Sequence, residues 1–284
     1  MPELPEVEVL VRHLRPLLRG KVIRSAEVRR AKVLGATSIR NFTRALRGAK
    51  FGDVSRRGKY LLFELRLPGR KEPVMLVGHL GMTGRMYLSR SDAPLPKHAA
   101  VVLNLNRDKF VFEDTRYFGR LTLDAGSVAR LGPEPLSPEF TADKFAKDLS
   151  RSAQAIKVKL LDQSLVAGVG NIYASEALYR ARIRPSLPSR KLTRPQIKQL
   201  WRSIRSVLRE AIECGSTVPL NYDGQATRDG LFYFGRTADT PGFYEERLRV
   251  YDRAGKPCVR CSAAIKRQVQ AARSTFYCPS CQRA

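Results

Sequence analysis

The chain has no apolar run approaching the roughly eighteen residues that a membrane-spanning helix needs. Its opening, Met1-Pro2-Glu3, continues with acidic residues instead of the basic start and apolar stretch of a secretory signal, so neither a membrane nor export is expected. Internal repeats and low-complexity tracts are also missing, which argues against a solenoid or a fibrous chain. Cysteine is scarce outside the last 27 residues, where four of the five fall. In the intracellular setting these features imply, disulfides are not expected. The expectation is a soluble cytoplasmic protein of bacterial type, with no sign of an oligomer and hence a monomer.

Carboxylates are in short supply. The chain has 284 residues, with 26 Asp and Glu against 52 Lys and Arg, a net charge of +26. Such an excess attracts a polyanion, because each neutralised phosphate releases condensed counterions. A ribosome-like or merely solubilising charge is the plainer alternative, and charge alone does not separate DNA from RNA. Hydrophobic residues make up 43 %, enough for real cores, and the length suits two domains and a small appendix.

Residues 4–18 read as a helix: Leu4, Val7, Leu10, Val11, Leu14, Leu17 and Leu18 recur at helical spacing and Gly20 stops it. From about 21 to 124 the texture turns to short apolar runs such as Tyr60-Leu61-Leu62-Phe63, Met75-Leu76-Val77, Ala100-Val101-Val102-Leu103 and Phe110-Val111-Phe112, a pattern of a β-sandwich or barrel. A Pro-rich stretch, Leu131 to Pro138, is followed by helical periodicity over 139–149, 153–163, 171–182 and 193–213, with Thr193 as an N-cap and Pro195 early in its helix. The fold class is α+β. The expected divisions are a strand-rich domain at 1–125, a linker at 126–138, a helical domain at 139–217, a variable loop at 218–246 and a cysteine module at 247–284.

Cys258 and Cys261 are followed, after sixteen residues, by Cys278 and Cys281. Two such pairs can close a tetrahedral thiolate shell around one structural zinc ion. The segment between them, with Ile265, Val269, Thr275, Phe276 and Tyr277, reads as a β-hairpin, and Arg260, Lys266, Arg267 and Arg273 give it a basic face. Cys214 lies outside the pattern and reads as a small buried helix residue.

Pro2-Glu3-Leu4-Pro5-Glu6-Val7-Glu8 is, by local chemistry, a helix start: proline suits the first turn and carboxylates suit its positive end. The string also resembles the N-terminal signature of the formamidopyrimidine-DNA glycosylase family. The resemblance continues in Arg57-Gly58-Lys59-Tyr60-Leu61, His79-Leu80-Gly81-Met82-Thr83-Gly84, Asp114-Thr115-Arg116-Tyr117-Phe118-Gly119, Asp162-Gln163, Val166 to Tyr173, and Arg273 to Cys281. It spans nearly the whole chain in the family's order. It implies a β-sandwich domain, a helix–two-turn–helix domain and a zinc ribbon.

The resemblance also implies roles. Pro2, once Met1 is removed, would attack C1′ of the sugar through its secondary amine and form an iminium ion. With Met1 attached that nitrogen is an amide. Glu3 would be the general acid/base, Glu6 a carboxylate that organises the site, Lys59 the proton-transfer group for β-elimination, and Arg273 the phosphate grip that assists δ-elimination. An extruded base leaves a gap in the duplex, and Met82, Arg116 and Phe118 match the family's void-filling residues. Lys157, His98 and Asn171 match positions that contact DNA, with Asn171 and nearby N–H groups at a helix start able to take a phosphate. Read alone, Lys59 would be a surface lysine at a strand start, Met82 and Phe118 core residues, and His98 a loop histidine. The implied partner is damaged double-stranded DNA, the implied location the nucleoid.

Residues 218–246 depart from the family's oxidised-purine capping loop in length and texture, which puts 8-oxoguanine preference in doubt. Glu3-Leu4-Pro5-Glu6 favours the formamidopyrimidine branch over the endonuclease VIII branch. Two alternatives stand beside the oxidised-purine reading: a same-family enzyme acting on oxidised pyrimidines, and a non-catalytic DNA-binding protein on the same fold.

Overall fold

A computed structural model describes residues 2–216 and 247–283; the expected variable loop at 218–246 lies outside the described residues. The described chain separates into two compact units. Pro2 and Glu6–Arg130 belong to the first, while Glu3–Pro5, the chain from Leu131, and the C-terminal module belong to the second.

The first unit is a β-sandwich. Helix α1 (Leu4–Leu18) buries Val7, Leu10, Val11, Leu14 and Leu18 in its core, the stripe that periodicity marks. One antiparallel sheet has the order β1 (Ser25–Val28), β6 (Ala99–Asn104), β7 (Asp108–Asp114), β5 (Gly84–Arg90). The other runs β2 (Lys50–Arg57), β3 (Tyr60–Arg66), β4 (Val74–His79), β8 (Arg120–Thr122). Strand β3 alternates, with Leu61, Phe63 and Leu65 inward. Strand β6 does not alternate, because its outer face is also covered: Ala99, Val102 and Val111 form a small second core with Tyr87 and Leu95. That explains its continuous apolar run.

The strand-only reading of 21–124 needs one correction. Helix α2 (Ile39–Leu46) lies within it, capped by the Ser38 hydroxyl, which accepts from the Asn41 N–H. Only Phe42 and Leu46 of this helix are buried, too few apolar positions to show a period. A single turn, α3 (Gly126–Ala129), ends the unit.

The second unit is built on α4 (Ala142–Ser150), α5 (Ile156–Lys159), α6 (Asn171–Ala181) and α7 (Arg194–Glu213). Thr193 caps α7 in a reciprocal box with Gln196, as its sequence suggests. Cys214 ends α7 as a buried cap. The helix expected over 153–163 shrinks to the four residues of α5. Asp162 is the reason: its carboxylate accepts from the Ser164 N–H and hydroxyl, a local turn that competes with helix. The Pro-rich stretch is pinned, because the Arg205 guanidinium on α7 donates to the carbonyls of Pro135, Leu136 and Ser137.

The C-terminal module is a hairpin of β9 (Lys266–Gln270) and β10 (Arg273–Tyr277) above the four cysteines. Its entry, Arg249–Tyr251, is held by a fully buried carboxylate: Glu176 of α6 accepts N–H groups from Arg249, Val250 and Tyr251 at 2.9–3.1 Å. None of the described helices is long and apolar enough to cross a membrane. Glu176→Ala leaves those N–H groups without their acceptor. It is predicted to cost the helical unit about 3 kcal/mol in denaturant unfolding; a loss below about 1 kcal/mol would show that water replaces the carboxylate.

Candidate active site and nucleic-acid interface

In the second unit the site is organised around Glu3, which is 2 % exposed. Its carboxylate sits at the start of α6. Oε2 accepts from the Gly170 N–H at 2.7 Å and Oε1 from the Ile172 N–H at 2.9 Å, with Tyr173 N–H at 3.4 Å. Unsatisfied N–H groups and the helix dipole make this a place for an anion, and here the anion is the chain's own. Of the N–H groups near Asn171 expected to receive a phosphate, those of Gly170, Ile172 and Tyr173 are instead taken by Glu3.

The glycines of Gly168-Val169-Gly170 admit that segment. A Cβ on Gly170 would lie 2.3 Å from the Glu3 carboxyl carbon, and one on Gly168, at φ +86, would lie 2.6 Å from the Leu4 Cβ. Gln163 shapes the loop by accepting the Gly168 N–H and donating to the carbonyls of Leu161 and Val169.

Lys157 is fully buried in the same unit. Its ammonium donates to the Asn171 side-chain oxygen and, at 3.4 Å, to the Ser274 carbonyl, while the Asn171 amide donates to that carbonyl at 2.9 Å. Burial, with the Arg273 charge adding to it and Glu3 opposing, brings the Lys157 pKa down to about 8. Arg273 itself is exposed at the first residue of β10, immediately after a two-residue turn, Ala271-Ala272, with both φ values positive. The second unit thus groups Glu3, Lys157, Asn171 and the Arg273 strand.

The first unit carries Pro2, Glu6, Lys59, Met82, His98, Arg116 and Phe118. Pro2 is half-buried and joined to Glu3 by one peptide bond; Glu6 is buried on α1. Lys59 is not the surface lysine its charge suggests: it is 7 % exposed in the β2–β3 turn, beside Gly58 at φ +57. Arg56 fixes that turn, donating to the Gly58 carbonyl and to the Glu8 carboxylate, each at 3.0 Å. Glu8 thereby links the N-terminal motif to the lysine turn, a role that its place in the motif does not reveal.

His79, across from Tyr60 in the register, is held neutral: burial, then the charges of Lys59 and Arg120, lower its pKa to about 4. Its Nδ1 accepts from the Gly81 N–H, so the proton sits on Nε2, available as a donor. Sequence reasoning placed His79 in a motif without a role.

Met82 is 47 % exposed and Phe118 is 53 % exposed. Neither is a core residue. Arg116 is exposed with its guanidinium 5.5 Å from the Phe118 ring centre. His98 is half-buried, its Nδ1 at 3.4 Å from the Tyr117 hydroxyl.

The four module cysteines bring their sulfur atoms within 4.8 Å of one another, with Cys258–Cys281 at 3.9 Å and Cys261–Cys278 at 3.5 Å. A tetrahedron of thiolates about 2.3 Å from a central ion has edges of about 3.8 Å, so the cluster fits a metal. The Tyr179 hydroxyl of α6 lies 3.3 Å from the Cys258 sulfur.

Three family profiles match in chain order: the formamidopyrimidine-DNA glycosylase N-terminal domain over residues 1–121, the formamidopyrimidine-DNA glycosylase H2TH domain over residues 131–220, and the zinc finger found in FPG and IleRS over residues 255–284. The formamidopyrimidine-DNA glycosylase of Thermus thermophilus is 42 % identical over 289 residues, covering 99 % of this chain and 98 % of its own. That of Symbiobacterium thermophilum is 40 % identical over 291 residues, covering 99 % and 89 %. A Lactococcus lactis FPG mutant in complex with Fapy-dG containing DNA has a TM-score of 0.86 at 33 % identity, covering 100 % of both chains. MutM in complex with carbocyclic 8-oxo-G containing DNA has a TM-score of 0.84 at 32 % identity, again covering 100 % of both. With its two units, its cysteine cluster and these matches along its length, the chain belongs to the formamidopyrimidine-DNA glycosylase family.

Proposed function

We propose that the protein is a base-excision-repair glycosylase that removes oxidised bases, formamidopyrimidines and 8-oxoguanine, from duplex DNA and then nicks the abasic site by β,δ-elimination. The observation that carries this reading is the seat of Glu3: a buried carboxylate, fixed by backbone N–H groups, one residue from a proline whose nitrogen becomes a secondary amine when Met1 is removed. The relatives' complexes with Fapy-dG and 8-oxo-G containing DNA support the substrate class.

In this reading the Pro2 nitrogen bonds to C1′ as the glycosidic bond breaks, and the departing base takes a proton by way of Glu3. The C1′–O4′ bond then opens as the proton from the Pro2 nitrogen passes to O4′, and the resulting iminium ion draws electrons from C2′. Loss of a C2′ proton, assigned to Lys59, expels the 3′ phosphate, and Arg273 holds phosphate for the second elimination. Glu6 organises the amine. Lys157, buried and still mostly charged at neutral pH, contacts the DNA together with Asn171 and His98. Met82, Arg116 and Phe118 fill the gap left by the extruded base, which suits their exposure when most other large apolar residues among the described residues are internal. Cys258, Cys261, Cys278 and Cys281 hold one zinc ion, which braces the hairpin that presents Arg273. The protein acts as a monomer on cytoplasmic DNA.

Borohydride reduction over a damaged duplex is expected to leave a covalent adduct on residue 2 of the processed chain. Equal trapping by a chain that retains Met1, or by Pro2→Gly through another residue, would remove Pro2 from the mechanism. A panel of matched duplexes carrying formamidopyrimidine, 8-oxoguanine or 5-hydroxycytosine is expected to rank the purine lesions first; the reverse order would support the oxidised-pyrimidine alternative.

Affinity for a duplex holding a stable abasic-site analogue is expected to fall roughly tenfold between about pH 7 and 9, as Lys157 loses its proton through a pKa of about 8. Lys157→Met should bind more weakly at neutral pH and show a flatter profile; an unchanged slope would place the titrating group elsewhere. Chelation of the zinc is expected to weaken DNA binding by more than about tenfold, while the far-ultraviolet circular dichroism of the sandwich is retained. Full affinity in the metal-free protein would end the gripping role of the hairpin.

A further inference from the structure

The two loops that carry Met82 and Phe118 share one buried carboxylate that the chemistry above does not use. Asp114, at the end of β7, is fully buried. Its Oδ1 accepts from the Arg116 N–H at 3.1 Å and from the Thr83 hydroxyl at 2.5 Å, and its Oδ2 accepts from the Gly119 N–H at 2.7 Å. The first and last of these donors lie in the loop that presents Arg116 and Phe118; the second lies next to Met82.

Packing makes the link tight. A Cβ on Gly81 would lie 2.6 Å from the Gly119 nitrogen, and one on Gly119 would lie 2.8 Å from the His79 carbonyl oxygen. The loops therefore touch backbone to backbone. On the opposite side of the Phe118 loop, the Arg120 guanidinium donates to the carbonyls of Gly119 and Phe118 at 2.8 and 3.3 Å, with Tyr117 at 3.5 Å. Asp114 satisfies the loop's N–H groups and Arg120 its carbonyls, so the exposed ends of Met82, Arg116 and Phe118 stand on a backbone with little freedom left.

We propose that Asp114, acting through Thr83, is a positioning residue that makes Met82, Arg116 and Phe118 a single rigid wedge, inserted into the duplex as a unit. This rests on the void-filling reading of those three side chains. The reason a wedge needs this is entropic. Unstacking a base step costs a few kcal/mol, and side chains that must also be ordered on insertion add to that cost. A pre-ordered wedge has met the ordering cost at folding.

Thr83→Val removes the hydroxyl that joins the loops and keeps a similar shape. Asp114→Asn turns one acceptor into an amide N–H₂ facing a donor. Thr83→Ser restores the hydroxyl. The test uses the full-length, zinc-loaded protein and the duplex that the lesion panel ranks first, with 2-aminopurine beside the lesion to report insertion. A second duplex carries a pre-formed abasic site, where no base has to be extruded. Thr83→Val and Asp114→Asn are each expected to slow insertion and excision by about tenfold, with nicking of the pre-formed abasic site within about twofold of wild type; Thr83→Ser is expected to recover wild-type excision.

Insertion and excision at wild-type rates in variants that melt normally would overturn the proposal. So would a parallel fall in excision and abasic nicking, which is what a merely structural role would give. Met82→Ala and Phe118→Ala separate the two levels of inference. If they leave insertion unchanged, the void-filling reading fails and the proposal with it. If they abolish the insertion signal while Thr83→Val does not alter it, only the coupling fails.

Discussion

The bond between the Glu3 carboxylate and the start of α6 is the constraint on which the rest of the helical unit's site depends. It carries the N-terminal segment into that unit, where Leu4 joins the core and its N–H donates to the Gly168 carbonyl at 3.1 Å. A carboxylate that receives two short N–H bonds at a helix start is held in one position by them. The arrangement also fixes Pro2 at one end of a peptide bond whose other end cannot move freely. An N-terminal residue next to an unrestrained neighbour would be free to move; here much of its ordering is part of folding.

Helix α6 extends the same logic along its length. Its first turn binds Glu3 and, through Asn171, the Ser274 carbonyl of the hairpin. Its middle holds the entry of the cysteine module through Glu176, and near its end Tyr179 approaches the Cys258 sulfur and is covered by the Arg260 guanidinium at 4.4 Å. One rigid element of eleven residues therefore positions the acid, the buried lysine's partner and the base of the hairpin that bears Arg273. The cysteine module has its own small core, in which Tyr179 packs with Val250, Cys258, Ile265, Phe276 and Cys278.

Much of this was legible in the sequence, and the exceptions have physical causes. The α1 stripe, the capped start of α7 and the paired cysteines are local patterns, and local patterns survive folding. The α+β class and the cysteine hairpin follow from them. Long-range partners were illegible. Gly170 was readable as a glycine at a helix start, but nothing in the string says that a carboxylate 167 positions away fills the space a Cβ would take. For the same reason the helix start read as a phosphate seat. By charge alone Lys59 reads as exposed, because its burial depends on a turn tied down by Arg56 and Glu8. By hydrophobicity alone Met82 and Phe118 read as core, and only the resemblance marks them as void-filling, because no composition rule distinguishes an apolar residue that packs from one held outward by its loop.

The scarcity of carboxylates with which the chain presents itself acquires a structural meaning here. Glu3, Asp114 and Glu176 are buried and each gathers backbone N–H groups, organising a loop or helix start. A backbone donor can satisfy a buried carboxylate without enlisting a lysine or arginine. In a chain of net charge +26 this division matters: acids that draw on the backbone inside leave more of the 52 basic side chains to face a polyanion outside. The same division makes the acids poor targets for charge-conserving replacement. Aspartate for glutamate at position 3 or 176 shortens the reach by one methylene and misses the N–H groups, although the net charge is the same.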